Sequence, residues 1–186
     1  MKLVFIDCET TGLDYNRHQV IDCSYMTLEM DRPIKIYFYV SPEAIEEADP
    51  VALKINGYDK WIEDGGGSYP YQTMNRDFYS KISDVRPTEF ATFLRALEGA
   101  TLVGANVQFD ARFLFKQLGY EPWHYKVLDI QVYAMGQGGR QDEIPSLSSI
   151  VKDINNTTAP IITVPDHNSI NDVLAVRDIW RYFTGE

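Results

Sequence analysis

The chain has 186 residues, of which 45% are hydrophobic and 24% charged, and its net charge is −10. That length suits one domain with a sizeable core, and no apolar run is long enough to span a bilayer, so no membrane partner is expected. Two cysteines, Cys8 and Cys23, make neither a disulfide framework nor a Cys-x-x-Cys zinc pattern, and the expected compartment is reducing and cytoplasmic. The acidic balance argues against a protein that coats nucleic acid, because such binders carry a basic surface. It leaves room for an enzyme that grips a few nucleotides, since carboxylates gathered around cations add to the deficit.

In chain order, residues 2–7 are an apolar run ending in an acid, too short and too soon acidic for a signal peptide, and they read as a buried strand. Residues 19–29 and 34–40 are rich in Val, Ile, Tyr and Phe, with Asp31-Arg32-Pro33 between them. They predict two further strands in a hairpin or meander, so strands one to three are contiguous and antiparallel. Pro42 opens a short acidic helical turn, and residues 49–57 predict a short helix with Pro50 early and Gly57 just past its end. Residues 64–76, with Gly65-Gly66-Gly67 and Pro70, read as a loop. Helices are predicted from Pro87 to about Glu98, over 108–118, after the strand 127–129 to about Met135, from Ser146, and over 170–183. Thr101-Leu102-Val103-Gly104 is a short strand, and 136–140 is Gly-rich and loop-like. Three strands followed by alternating helix and strand predict a mixed α/β sheet with helices on its faces.

Asp7 and Glu9 lie two apart, so on an extended strand both point to one side while Cys8 points to the other. They could share a cation at a strand end, or decorate a solvated turn with Thr10-Thr11-Gly12. Asp110 shares a helix face with Phe113, Leu114 and Leu118. A carboxylate on a core-facing stripe is costly unless paired or metal-bound, although the first helical turn also favours negative charge. Asp172 repeats this with Val176, Ile179 and Phe183, and Ser169-Ile170-Asn171-Asp172 also fits a capping box. His167 falls in the loop before that helix. His18 sits in a loop beside Arg17, and His124, between Trp123 and Tyr125, is expected to be packed.

Taken together, three segments resemble the motifs of the DEDDh, or DnaQ-like, family of 3′→5′ exonucleases. Asp7-Cys8-Glu9-Thr10-Thr11-Gly12-Leu13 resembles the first motif, Asn106-Val107-Gln108-Phe109-Asp110 the second, and His167 with Asp172 the third, His-x-x-x-x-Asp. The resemblance implies a ribonuclease-H-like fold with a central five-stranded mixed sheet, and a single domain over 1–186 with an insertion or loop within about 42–86. It implies that Asp7, Glu9, Asp110 and Asp172 hold two divalent ions, Mg²⁺ or Mn²⁺, for phosphodiester hydrolysis, and that His167 takes a proton from the attacking water. Backbone around Thr10, Thr11 and Gly12 would hold the terminal nucleotide, with Leu13 wedged against the last base. Asn106 and Phe109 complete the substrate-binding set, Phe109 under the terminal sugar or base. His rather than Tyr in the third motif favours the h branch. Ala105 stands where the family often has His, and Asn168 and Ser169 stand where small apolar residues commonly follow the third-motif His. The expected substrate is a single-stranded 3′ end, DNA favoured over RNA. Without a polymerase domain, proofreading would need a polymerase partner. The alternatives are an exoribonuclease or oligoribonuclease of the same family, and a non-catalytic module that binds nucleic acid or protein.

Overall fold

Alternation along the first strand sets the architecture. The computed structural model describes residues 1–59, 87–138, 143–157 and 161–186. Strands β1 (Leu3–Thr10), β2 (Val20–Met26) and β3 (Ile34–Tyr37) come first, then α1 (Pro42–Glu46) and α2 (Pro50–Ile55). After them come α3 (Pro87–Leu97), β4 (Thr101–Gly104), α4 (Val107–Leu118) and β5 (Leu128–Asp129). Helices α5 (Ile130–Gly138), α6 (Leu147–Thr157) and α7 (Ser169–Thr184) close the chain. The strand order is β3-β2-β1-β4-β5. β2 is antiparallel to both β1 and β3, whereas β4 is parallel to β1 and β5. The three antiparallel strands are those expected, and the sheet is mixed with helices on both faces.

Val4, Ile6 and Cys8 pack with Phe93 and Leu97 of α3 and with Val107, Phe113 and Leu114 of α4. Leu3 and Phe5 pack on the opposite face with Ile130, Ile150, Ile154, Val173, Val176 and Ile179 of α5, α6 and α7. The period of two then carries Asp7 and Glu9 onto the second face, the one that α7 covers. Cys8 and Cys23 are free buried thiols directly opposite one another on β1 and β2.

The pairing of β4 with β1 stops at Phe5, while β1 runs on to Thr10. Its last residues therefore pass the end of β4 and offer backbone groups on that edge. Gly104 makes the turn out of β4 close: a Cβ there would stand 2.9 Å from the Ile6 carbonyl oxygen and 3.2 Å from the Val107 side chain. Asn106 follows with φ 53°, and α4 starts at once, carrying Asp110 in its first turn.

Two expectations are corrected. The Gly-rich residues 136–138 belong to α5, which runs three residues beyond Met135 to Gly138. Its core residues Ile130 and Ala134 are spaced i, i+4, and this packing outweighs the roughly 1 kcal/mol penalty of each glycine. His124 is exposed, and its Nδ1 accepts from the Lys126 N–H; the buried member of that trio is Trp123. The Gly65-Gly66-Gly67 loop lies outside the described residues. No helix among the described residues is long and apolar enough to cross a membrane. Because Gly104 aims α4, Gly104→Ala is expected to cost about 1–3 kcal/mol, the usual penalty of overpacking. Urea unfolding of the two proteins checks this.

Candidate active site

Asp7 and Glu9 stand on β1, Asp110 in the first turn of α4, and Asp172 in the first turn of α7. Asp110 and Asp172 are buried, as their helix faces demand, and Asp7 and Glu9 are half-buried. The elements converge where β1 outruns β4. There the Cys8 N–H donates to Asp110 Oδ1 at 2.9 Å. This bond ties the second motif to the residue lying between the two acids of the first.

The third motif is a compact turn. Asn168 caps α7, its Oδ1 accepting from the Ile170 N–H at 3.1 Å. Asp172 Oδ1 accepts from the Asp166 N–H at 3.0 Å, and Asn171 Nδ2 donates to Asp166 Oδ2 at 2.9 Å. The capping box expected at Ser169 is thus replaced by an Asn168 cap. Ser169 is the first helical residue, and its hydroxyl turns inward to β2. His167 is exposed and held at φ 60°, in the left-handed region that few non-glycine residues adopt. Backbone strain of this kind concentrates at functional sites.

The electrostatics record how closely these acids are gathered. Burial first, and then the charges of Asp110, Glu9 and Asp172, hold the Asp7 carboxyl well above the ordinary carboxylate range. Burial, then Asp22, Asp172 and Asp110, push Glu9 up to about 8 against the opposing pull of Lys35. Burial lifts Asp110 to about 7 even though hydrogen bonds from Cys8 favour its charged form. Asp172 is raised by burial, with the Asp166 N–H and the nearby His167 working the other way. Carboxylates crowded like this cannot all ionise together without a compensating positive charge.

The donor set consists of carboxylate oxygens, the hard ligands that Mg²⁺ and Mn²⁺ take. Among the described residues, no group of three or more His, Cys, Asp or Glu side chains is arranged so that it could hold a metal ion as the side chains stand. Asp110 is bonded to the Cys8 N–H and Asp172 to the Asp166 N–H. The chemistry and clustering of the four acids fit divalent cations, and each keeps a carboxylate oxygen not held by these backbone bonds.

The expected substrate residues line the end of β1 and the start of α4. Thr10 Oγ1 donates to the Gly12 carbonyl. Thr11 is engaged throughout: its N–H donates to Gln19, its carbonyl accepts from Asp49, and its hydroxyl accepts from the Gln19 N–H. Gly12 abuts the buried His18 ring, which would lie 2.4 Å from a Cβ at that position. His18 Nδ1 accepts from the Asp14 N–H, so His18 is a packed loop residue. Leu13 is 73% exposed. Asn106 is exposed, and Phe109 is half-buried with its ring 4.6 Å from that of Phe113.

Two acids escaped the sequence reading. Asp129 ends β5, caps α5 through the Gln131 and Val132 N–H groups, and adds its charge near Asp110. Asp22 of β2 is wholly buried and directly opposite Glu9 on the ladder. Neither lies in a motif. The alternation of Asp22 and Ser24 with apolar neighbours on a strand was the available signal.

The raised acids set a direction for stability. A group whose folded pKa exceeds its unfolded value stabilises below the unfolded pKa and loses that contribution as pH rises through the folded one. For Glu9 and Asp110 the loss runs from about pH 4 through about 7 to 8. In chelator the melting temperature should therefore fall across that window, and Mg²⁺ should restore it most at the alkaline end. Thermal denaturation at several pH values, with and without the ion, checks this; a Mg²⁺ effect independent of pH would contradict it.

No known protein-family profile matches this chain. Among solved structures it is similar to a moderately thermophilic Exonuclease I from Methylocaldum szegediense, with a TM-score of 0.59 at 16% sequence identity. The match takes in 99% of this chain and 41% of that protein, so the chain spans less than half of its length. At that identity the likeness establishes the fold alone, a ribonuclease-H-like α/β arrangement with a five-stranded mixed sheet.

Proposed function

We propose that the chain is a DEDDh-type 3′→5′ exonuclease that releases nucleoside monophosphates from single-stranded ends, DNA in preference to RNA. The observation that carries this reading is the bond from the Cys8 N–H to Asp110, which joins the acids of the first two motifs at the edge that Asp172 also reaches. The exonuclease fold of the similar structure supports it. Asp7, Glu9, Asp110 and Asp172 would hold two divalent ions. Bound there, such ions supply charge to activate water and to neutralise the departing 3′ oxygen. His167, exposed on its strained turn, accepts the proton of the attacking water, work that suits the intrinsic pKa of a histidine. Leu13 and Phe109 offer apolar surface to the terminal base and sugar, with Gly12 and Asn106 beside them.

The test is cleavage of 5′-labelled single-stranded DNA and RNA of one sequence. The wild type should give a ladder shortening from the 3′ end, faster on DNA and lost in chelator. His167→Ala should lower the rate by about 10²–10⁴-fold, the usual share of a general base, with divalent-ion stabilisation retained. Asp110→Asn should abolish cleavage while keeping an acceptor for the Cys8 N–H. By relieving the crowding it should also melt at a higher temperature than wild type in chelator at pH 8. Intact substrate with a folded wild-type protein would favour a non-catalytic binding module.

A further inference from the structure

Asp22 belongs to no motif, yet its carboxylate has three side-chain partners, Lys35, Tyr58 and Ser169. It is wholly buried, where an ionised group is costly unless paired and hydrogen-bonded. Lys35 Nζ stands 3.1 Å from Oδ2, and the Tyr58 hydroxyl donates to the same oxygen. The Ser169 hydroxyl donates to Oδ1. Ser24 Oγ lies 2.7 Å from Ser169 Oγ; since Ser169 gives its own proton to Asp22, Ser24 is the donor in that pair.

Three routes out of this cluster lead to the carboxylate site. Ser169 opens α7, two residues after His167 and one turn before Asp172, and both Ser169 and Asp172 are buried on the face toward the sheet. The Tyr58 N–H donates to Asn56 Oδ1, and Asn56 Nδ2 in turn donates to the Thr10 carbonyl. Across the ladder Asp22 faces Glu9. Apolar packing alone would hold α7 on the sheet but would let it turn about its axis. A directional bond from its first residue to a buried, fixed carboxylate sets that rotation, and the rotation decides where Asp172 and His167 point. A polar cluster is a poor means of stabilising a core compared with apolar packing, but a fully satisfied one specifies a single geometry.

We propose that Asp22 is a positioning residue, which through Ser169 fixes the first turn of α7 and so aims Asp172 and His167 at the site that Asp7 and Glu9 share. This rests on the reading of those acids as a divalent-cation site. Groups that orient metal ligands typically cost 10–100-fold in metal affinity or activity when removed.

The test compares Ser169→Ala and Asp22→Asn with wild type by thermal denaturation across a Mn²⁺ titration and by kinetics on an oligonucleotide. Ser169→Ala, which leaves the Asp22–Lys35 pair intact, should raise the Mn²⁺ concentration for half-maximal stabilisation about tenfold. It should also lower kcat with little change in KM. Asp22→Asn keeps an acceptor oxygen for Ser169 and should show a smaller shift; it decides the matter if Ser169→Ala does not fold. A merely structural role would lower the melting temperature in chelator and leave the Mn²⁺ midpoint and kcat of the folded variants at wild-type values. That result overturns the inference. A folded wild type that Mn²⁺ does not stabilise overturns the cation-site reading itself, and the inference with it.

Discussion

The burial of crowded carboxylates at the end of β1 is the constraint to which the rest of the site answers. Burial raises the proton affinity of Asp7, Glu9, Asp110 and Asp172, and neighbouring carboxylates raise that of Asp7 and Glu9 further. Nothing in ordinary folding rewards such crowding, because each carboxylate has left water for a place beside other carboxylates. The protein holds the arrangement with directional bonds. Cys8 restrains Asp110, Asp166 restrains Asp172, and Lys35, Tyr58 and Ser169 together satisfy Asp22 behind Glu9. A site assembled against its own electrostatics is one prepared for positive charge, and its carboxylate oxygens suit hard divalent ions.

The sheet makes this possible by a mismatch of lengths. β4 pairs with β1 over three residues, Leu3 to Phe5, and then turns away, while β1 continues to Thr10 against β2. The free edge of β1 gives Asp110 a backbone donor that a longer β4 would have taken. The alternation of β1 sends Cys8 into the core beneath α4 and turns Asp7 and Glu9 to the face of α7. Second and third motifs thus approach the first from opposite layers. Neither helix could supply both of their acids.

Much of this was legible in the residues. Apolar runs and punctuating Pro and Gly located the strands and helices to within a few residues, because the period-two and helical patterns coincide with real burial. The buried stripes carrying Asp110 and Asp172 followed from spacings of three and four. What escaped was set by distant partners. Asp22 meets Ser169 across 147 positions of chain, and nothing local announces that contact. The Asn168 cap displaced the expected capping box for the same reason, since Ser169 is drawn to β2 instead. His124 is exposed while its neighbour Trp123 is buried, and nothing in the sequence around them separates the two.

The most direct measurement is anomalous scattering from crystals of the protein grown with Mn²⁺. If the four carboxylates are a two-ion site, two peaks appear among Asp7, Glu9, Asp110 and Asp172, and the Asp110→Asn variant loses at least one of them. Peaks only elsewhere on this acidic surface, from a protein that still cleaves nucleic acid, would contradict the assignment of these residues as the catalytic centre.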